Sequence, residues 1–152
     1  SAIGADERGN AVLTFARSSP TEYISMCTAF RAPTDPVGTM RTPVIVKTNS
    51  GPYTEANRWG DYAAARRDPA APTTAPVFWA NHEYAVGPSS WRSWAQEIAL
   101  PGPSPDLNGD GLVNATDLAT LLGAWGTSGV ADLDGSGLVG AEDLSILLGA
   151  WS

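Results

Sequence analysis

"DLNGDGLVNATDLATLLGAW" occupies residues 106–125 and "DLDGSGLVGAEDLSILLGAW" occupies 132–151, so the chain writes nearly the same twenty residues twice at an offset of 26. The acids in each copy recur at fixed positions, a tighter constraint than a solvated face requires. Calcium, a hard cation, takes about six to eight oxygens. A twelve-residue loop supplies them from positions 1, 3, 5, 7, 9 and 12, with glycine at 6 for a sharp turn. In the first copy those positions are Asp106, Asn108, Asp110, the Leu112 carbonyl, Asn114 and Asp117, with Gly111 at the turn. In the second they are Asp132, Asp134, Ser136, the Leu138 carbonyl, Gly140 and Asp143, with Gly137 at the turn. Ser136 offers a neutral oxygen and Gly140 no side chain, so a water would fill that position and the second site is expected to bind more weakly. Two in-register matches predict two calcium sites; magnesium, which demands tight octahedral geometry and keeps its waters, fits less well.

Downstream of each loop the apolar residues take helical spacing: Leu118, Leu121, Leu122 and Trp125, then Leu144, Leu147, Leu148 and Trp151. Each stripe predicts a one-sided helix of about ten residues, too short to stand alone. The stripes are therefore expected to bury each other or a partner, as a pseudo-twofold pair to whose folding the metal contributes.

Charge separates this tail from the rest. Residues 1–105 carry nine acids and nine bases, whereas residues 106–152 carry seven acids and no base, so the whole net charge of −7 lies in the repeats. Such a tail repels itself unless cations neutralise it, and it cannot hold a phosphate backbone. Nucleic acid is thereby disfavoured as a partner. No apolar run reaches the roughly 18 residues of a bilayer span, and "SAIGADERGN" (1–10) has no signal-peptide pattern. The expectation is a soluble chain, processed or cut from a longer one, that does not insert in membranes. The single cysteine, Cys27, excludes an internal disulfide and reads as a buried small apolar residue, not a reactive thiol.

"PGPSP" (101–105) predicts a short stiff linker between a β domain, 1–100, and the calcium repeat, 106–152. Five or six strands are expected in the first part, at 11–17, 23–31, 43–48, 61–67, 76–85 and 90–100, each bounded by turn residues. They predict an antiparallel β unit. "DPAAPTTAP" (68–76) reads as a plain hairpin loop, with O-glycosylation the alternative for an exported chain. The aromatics Phe15, Tyr23, Phe30, Trp59, Tyr62, Phe78, Trp79, Tyr84, Trp91 and Trp94 are expected in the sheet core; on an exposed face the same residues would make a glycan platform.

With Asp at position 12 and no helix before the loop, "DLNGDGLVNATDL" and "DLDGSGLVGAEDL" resemble the tandem repeats of a type I dockerin. That resemblance covers residues 106–152 and implies a small all-α, EF-hand-like module that is extracellular, binds two calcium ions and attaches its protein to a cohesin domain. The chain departs from the family's recognition pattern. The positions opening each helix are Ala115, Thr116 and Ala141, Glu142, and neither helix carries a base. Calcium binding therefore carries over better than a cohesin partner. "GNAVLTFARSS", "PVGTM", "NRWGDYAAARRDP", "FWANHEYA" and "SWRSWAQEIAL" are similar to the last strands of β-propeller-like repeats that end large secreted bacterial proteins. Residues 1–100 would hold fewer than two blades and leave open edges that invite partners. The resulting fold class is a mainly β, antiparallel part, blade-like or sandwich-like, followed by the dockerin-like module.

Catalytic constellations are sparse. Asp61 and Glu83 could form an acid/base pair only at a separation that sequence does not fix, and His82 reads as a surface or hydrogen-bonded residue. No phosphate loop, zinc spacing or nucleophile elbow is present. Asn114-Ala115-Thr116 matches a glycosylation sequon, but Asn114 is assigned to the metal loop. The expectation is not an enzyme but an extracellular or cell-surface interaction protein. Its protein partner is either another copy, joined head to tail into a fibre, or a cohesin-like receptor anchoring the end of a larger secreted protein or glycan-active enzyme. Glycans are a further candidate ligand.

Overall fold

The computed structural model describes residues 1–49, 51–54 and 59–152. Its chain forms two compact units, one of Ser1–Asp68 with Val77–Ala99 and the other of Pro69–Pro76 with Leu100–Ser152. Asn57 and Arg58, which open one of the propeller-like stretches, lie outside the described residues.

The first unit is all β. Strands β1 (Ala2–Ala5), β2 (Ala11–Ser19), β3 (Glu22–Arg31) and β4 (Val44–Lys47) make one antiparallel sheet in sequence order. Strands β5 (Ala63–Arg67), β6 (Val77–Ala85) and β7 (Trp91–Ala99) make a second, also antiparallel and in order. Strand β1 was not among the expected strands. It forms because Asp6 accepts from the N–H groups of Arg8 and Asn10 and Gly9 takes a positive φ, which turns Ala2–Ala5 back onto Ala11–Thr14. Strand β5 starts at Ala63, later than expected, because the N–H groups of Gly60 and Tyr62 turn to the Glu83 carboxylate at 3.0 and 3.2 Å.

The two sheets pack through β1, β2 and β3 on β5 and β6. Phe78, Ala80 and His82 alternate on the buried face of β6, with Val12, Thr14 and Met26 buried in the facing sheet. Gln96 of β7 donates to Thr28 of β3, and the Lys47 ammonium lies 3.9 Å from the Trp94 ring centroid, clamping β4 to β7. Strand β3 is buried from Ser25 to Ala29, so Cys27 is fully enclosed and burial pushes its thiol pKa up. That environment suits an inert thiol.

Gly4 marks the closest approach of the sheets, where a Cβ would lie 2.7 Å from the Ala65 carbonyl oxygen. Backbone cannot yield there as a flexible side chain would. Gly4→Val is therefore expected to cost about 1–3 kcal/mol by overpacking, read as a lower midpoint in urea unfolding.

The expected aromatic core is corrected by the structure. Of the ten aromatics named, only Phe78 is fully buried, while Tyr23, Tyr62, Trp79, Trp91 and Trp94 are exposed. The reason is alternation: Trp79 on β6, and Trp91 on β7 in the same parity, stand on the side opposite the buried Phe78, Ala80 and His82.

In the second unit, helices α1 (Ala115–Gly123) and α2 (Ala141–Gly149) pack around Leu107, Leu121, Ala131, Leu133, Val139 and Leu147. The Pro-rich stretch 101–105 belongs to this unit, as does the 69–76 loop. Leu100 N–H donates to the Pro76 carbonyl at 2.9 Å, and at Gly102 a Cβ would meet the Thr74 carbonyl oxygen. Among the described residues no helix is long and apolar enough to cross a membrane.

Candidate metal centre

Each copy folds its loop around its first and last acids. Glycines at positions 4 and 6 take positive φ in both loops: Gly109 and Gly111 at 76° and 90°, Gly135 and Gly137 at 75° and 100°. A side chain would be strained at either position, so the G-x-G step lets the backbone turn sharply within each loop. The loop pattern predicts the position 6 glycine; the position 4 glycine is legible as one repeated in register.

In the first loop Asp106 Oδ1 accepts from Gly109 N–H at 2.8 Å and Oδ2 from Gly111 N–H at 2.9 Å. Asn108 accepts from Asp110 N–H, while its amide donates to Asp110 Oδ2 at 2.9 Å. Asn114 caps α1, its side chain accepting from Thr116 N–H at 2.8 Å. Asp117 is completely buried and accepts from Leu107 and Asn108 through Oδ1 and from Asn114 through Oδ2. These N–H groups, that of Asn114 foremost, hold the Asp117 carboxyl below the usual carboxylate range against the opposing effect of burial. Leu112 exposes its side chain, which leaves position 7 to its backbone carbonyl.

The second loop repeats this plan. Asp132 Oδ2 accepts from Gly137 N–H at 3.0 Å, and buried Asp143 accepts from Leu133, Asp134 and Gly140. Ser136 donates its hydroxyl to the Leu138 carbonyl at 3.1 Å, and its N–H bonds Asp134 and lowers the pKa of that carboxyl. Gly140 is the N-cap of α2 and provides no side-chain cap.

Asp132, Asp134 and Asp143 each offer a carboxylate oxygen, all within 4.8 Å of one another. Among the described residues this is the one acidic group so gathered, and it lies in the copy for which the sequence predicts weaker binding. The candidate ligand atoms are all oxygens, from carboxylate, hydroxyl and carbonyl groups, which suits a hard divalent cation. The geometry does not by itself select calcium.

The two copies also exchange backbone bonds. Val113 N–H donates to Ser152 Oγ and Ser152 N–H to the Val113 carbonyl; Gly126 N–H donates to the Val139 carbonyl and Val139 N–H to that of Thr127. Val113 and Val139 occupy the same position of their copies, so each loop is tied to the end of the other repeat. The duplicated sequence thus yields a reciprocal pair around one core.

Only part of each helical stripe enters that core. Leu121 and Leu147 are fully enclosed and Leu118 and Leu144 partly so, whereas Leu122, Leu148, Trp125 and Trp151 stay about half exposed. Both tryptophans lie past the helix ends at Gly123 and Gly149, where the helical period no longer sets their direction. Both oxygens of Glu83 accept backbone N–H groups, from Gly60 and Tyr62. His82 is buried on the inner face of β6, not on the surface, with Nδ1 3.0 Å from the Glu83 carbonyl.

Compared with protein-family models, with curated proteins and with solved structures, the chain gives no significant match to any of them.

Proposed function

We propose that residues 106–152 form a dockerin-like, EF-hand-like module that binds two calcium ions and serves as an extracellular attachment device, joining copies of the chain head to tail into a fibre. The observation that carries the calcium part is the group of Asp132, Asp134 and Asp143, each held in place by backbone N–H donors within a loop that occurs twice. Seven acids without a base give that module reason to take up cations at the millimolar calcium typical of extracellular modules.

The attachment part rests on the matched pairs Leu122 with Trp125 and Leu148 with Trp151, an apolar surface written twice on a unit of 61 residues. Self-association is favoured over a cohesin-like receptor because both helices lack the bases and hydroxyl pairs of the dockerin pattern, and because β4 and β7 are end strands of their sheets among the described residues. A tail-to-β contact is heterologous, so it closes a ring or grows an open fibre. The role assigned is structural and not catalytic.

Sedimentation velocity in millimolar calcium tests the attachment. The wild-type chain is expected to form large particles, and the double variant Trp125→Ala, Trp151→Ala to sediment as a monomer with an unchanged circular dichroism spectrum. A monomeric wild type that binds calcium would defeat self-assembly and turn the search to a cohesin-like receptor.

A further inference from the structure

The Pro/Thr-rich segment 69–76 connects β5 to β6, yet it folds with the second unit. Pro69, Pro72 and Pro76 each fix φ, so the segment holds a shape without being a helix or a strand. The Ala75 N–H closes a turn on the Pro72 carbonyl at 3.1 Å, and the carbonyl of buried Pro76 accepts from Leu100 N–H at 2.9 Å. Thr73 and Thr74 lie within that turn.

What these threonines touch sets the two metal loops apart. The loops match at position 4, where Gly109 and Gly135 take φ of 76° and 75°. A Cβ added to Gly109 would meet nothing within 4 Å. One added to Gly135 would lie 3.0 Å from the Thr73 Cβ and 3.5 Å from Thr74 Cγ2, and would collide with Thr73 Oγ1. Thr73 therefore rests directly on the turn of the second loop, its hydroxyl donating to the Gly135 carbonyl at 3.4 Å. A bond that long contributes little, so it is the close packing that restrains the turn. Thr74 is pinned as well, its carbonyl oxygen taking the space a side chain at Gly102 would need. No other glycine of 100–152 has a neighbour so close. Gly135 follows Asp134, one of the three gathered carboxylates, so a restrained turn also restrains that acid's backbone.

We infer that residues 69–76 are a strap that preorganises the second metal loop, with Thr73 as its positioning residue, so that calcium affinity at the second site depends on the strap more than affinity at the first does. The inference rests on the calcium reading of the loops. A free loop loses conformational entropy when it closes on an ion, and a segment already packed on its turn reduces that loss. The strap thereby offsets the poorer ligands at Ser136 and Gly140. Coupling of this kind is reciprocal: an ion that stabilises the loop stabilises the strap on it by the same factor. Calcium at the second loop thus also orders the β5–β6 connection, a segment that supplies no metal ligand.

The test follows amide hydrogen exchange of the full chain, resolved by peptide, against calcium concentration. Protection of 106–117 and of 132–143 reads the two sites separately, and protection of 70–75 reads the strap. In the wild type, 70–75 is expected to gain protection at the calcium concentration that protects 132–143. Thr73→Gly, which removes the packing and loosens the turn, is expected to raise that concentration by about threefold to tenfold and to move 106–117 less. Thr73→Val keeps the shape of the side chain without its hydroxyl, and is expected to stay within about twofold of the wild type. The wild-type measurement needs no variant to fold. The strap is overturned if 132–143 becomes protected while exchange at 70–75 is unchanged, or if Thr73→Gly shifts both loops equally or neither. If no loop gains protection across millimolar calcium, the calcium reading itself fails and the strap falls with it.

Discussion

Asp143→Ala is expected to unfold the second unit locally while leaving the β unit intact. The carboxylate it removes is enclosed and accepts from Leu133 at 2.5 Å, Asp134 at 3.0 Å and Gly140 at 2.6 Å. Alanine leaves those donors without an acceptor, at about 1–3 kcal/mol for each that stays buried. It also removes one of the three carboxylates of the gathered group and one of the two acids in the first turn of α2. The sum exceeds what a module of this size can spare. Hydrogen exchange resolved by residue would show protection lost across 106–152 and kept in β2, β3 and β6. Uniform protection in both units would contradict the role assigned to Asp143.

Leu147→Ala is the second large effect, and its contrast with Trp151→Ala is what makes it informative. Leu147 and its counterpart Leu121 are completely enclosed at the centre of the six-residue core. Truncating either leaves a cavity in a cluster with few neighbours to collapse inward, at a cost of about 2–5 kcal/mol. Trp151, half exposed and beyond the end of α2, should cost less than about 1 kcal/mol in stability and act on association. Thermal unfolding of the two variants in calcium checks the pair. If Trp151→Ala proved the more destabilising, the tryptophans would belong to the module's interior and the attachment surface would have to lie elsewhere.

How much of this was legible in the sequence depended on whether a local rule or a long-range one decided each residue. The loops were legible because a period of 26 repeats the same acids and glycines in register. The structure seats Asp117 and Asp143 in matching positions, as that register implies. Strands β2, β3, β4, β5, β6 and β7 fall within two residues of the expected bounds, since turn residues flank them. Strand β1 escaped notice because Ala2–Ala5 has only one large apolar side chain, Ile3, and is a strand only through its pairing with β2. The tryptophans were misplaced for a related reason. Alternation places Trp79 and Trp91 on one face of a sheet, but which face meets the other sheet is set by Phe78, Ala80 and His82 together. The exchange of Val113 with Ser152 and of Val139 with Gly126 and Thr127 is likewise a tertiary fact that no local pattern announces.

The most direct test of the central claim, that cations fold the tail, is a calorimetric titration of the chelator-treated chain with calcium, followed in parallel by far-ultraviolet circular dichroism. The account predicts two binding events and a gain of helical signal matching α1 and α2, reversed by excess chelator. No heat and an unchanged spectrum across millimolar calcium would contradict it, and would leave the duplicated acids as a fold that stands without metal.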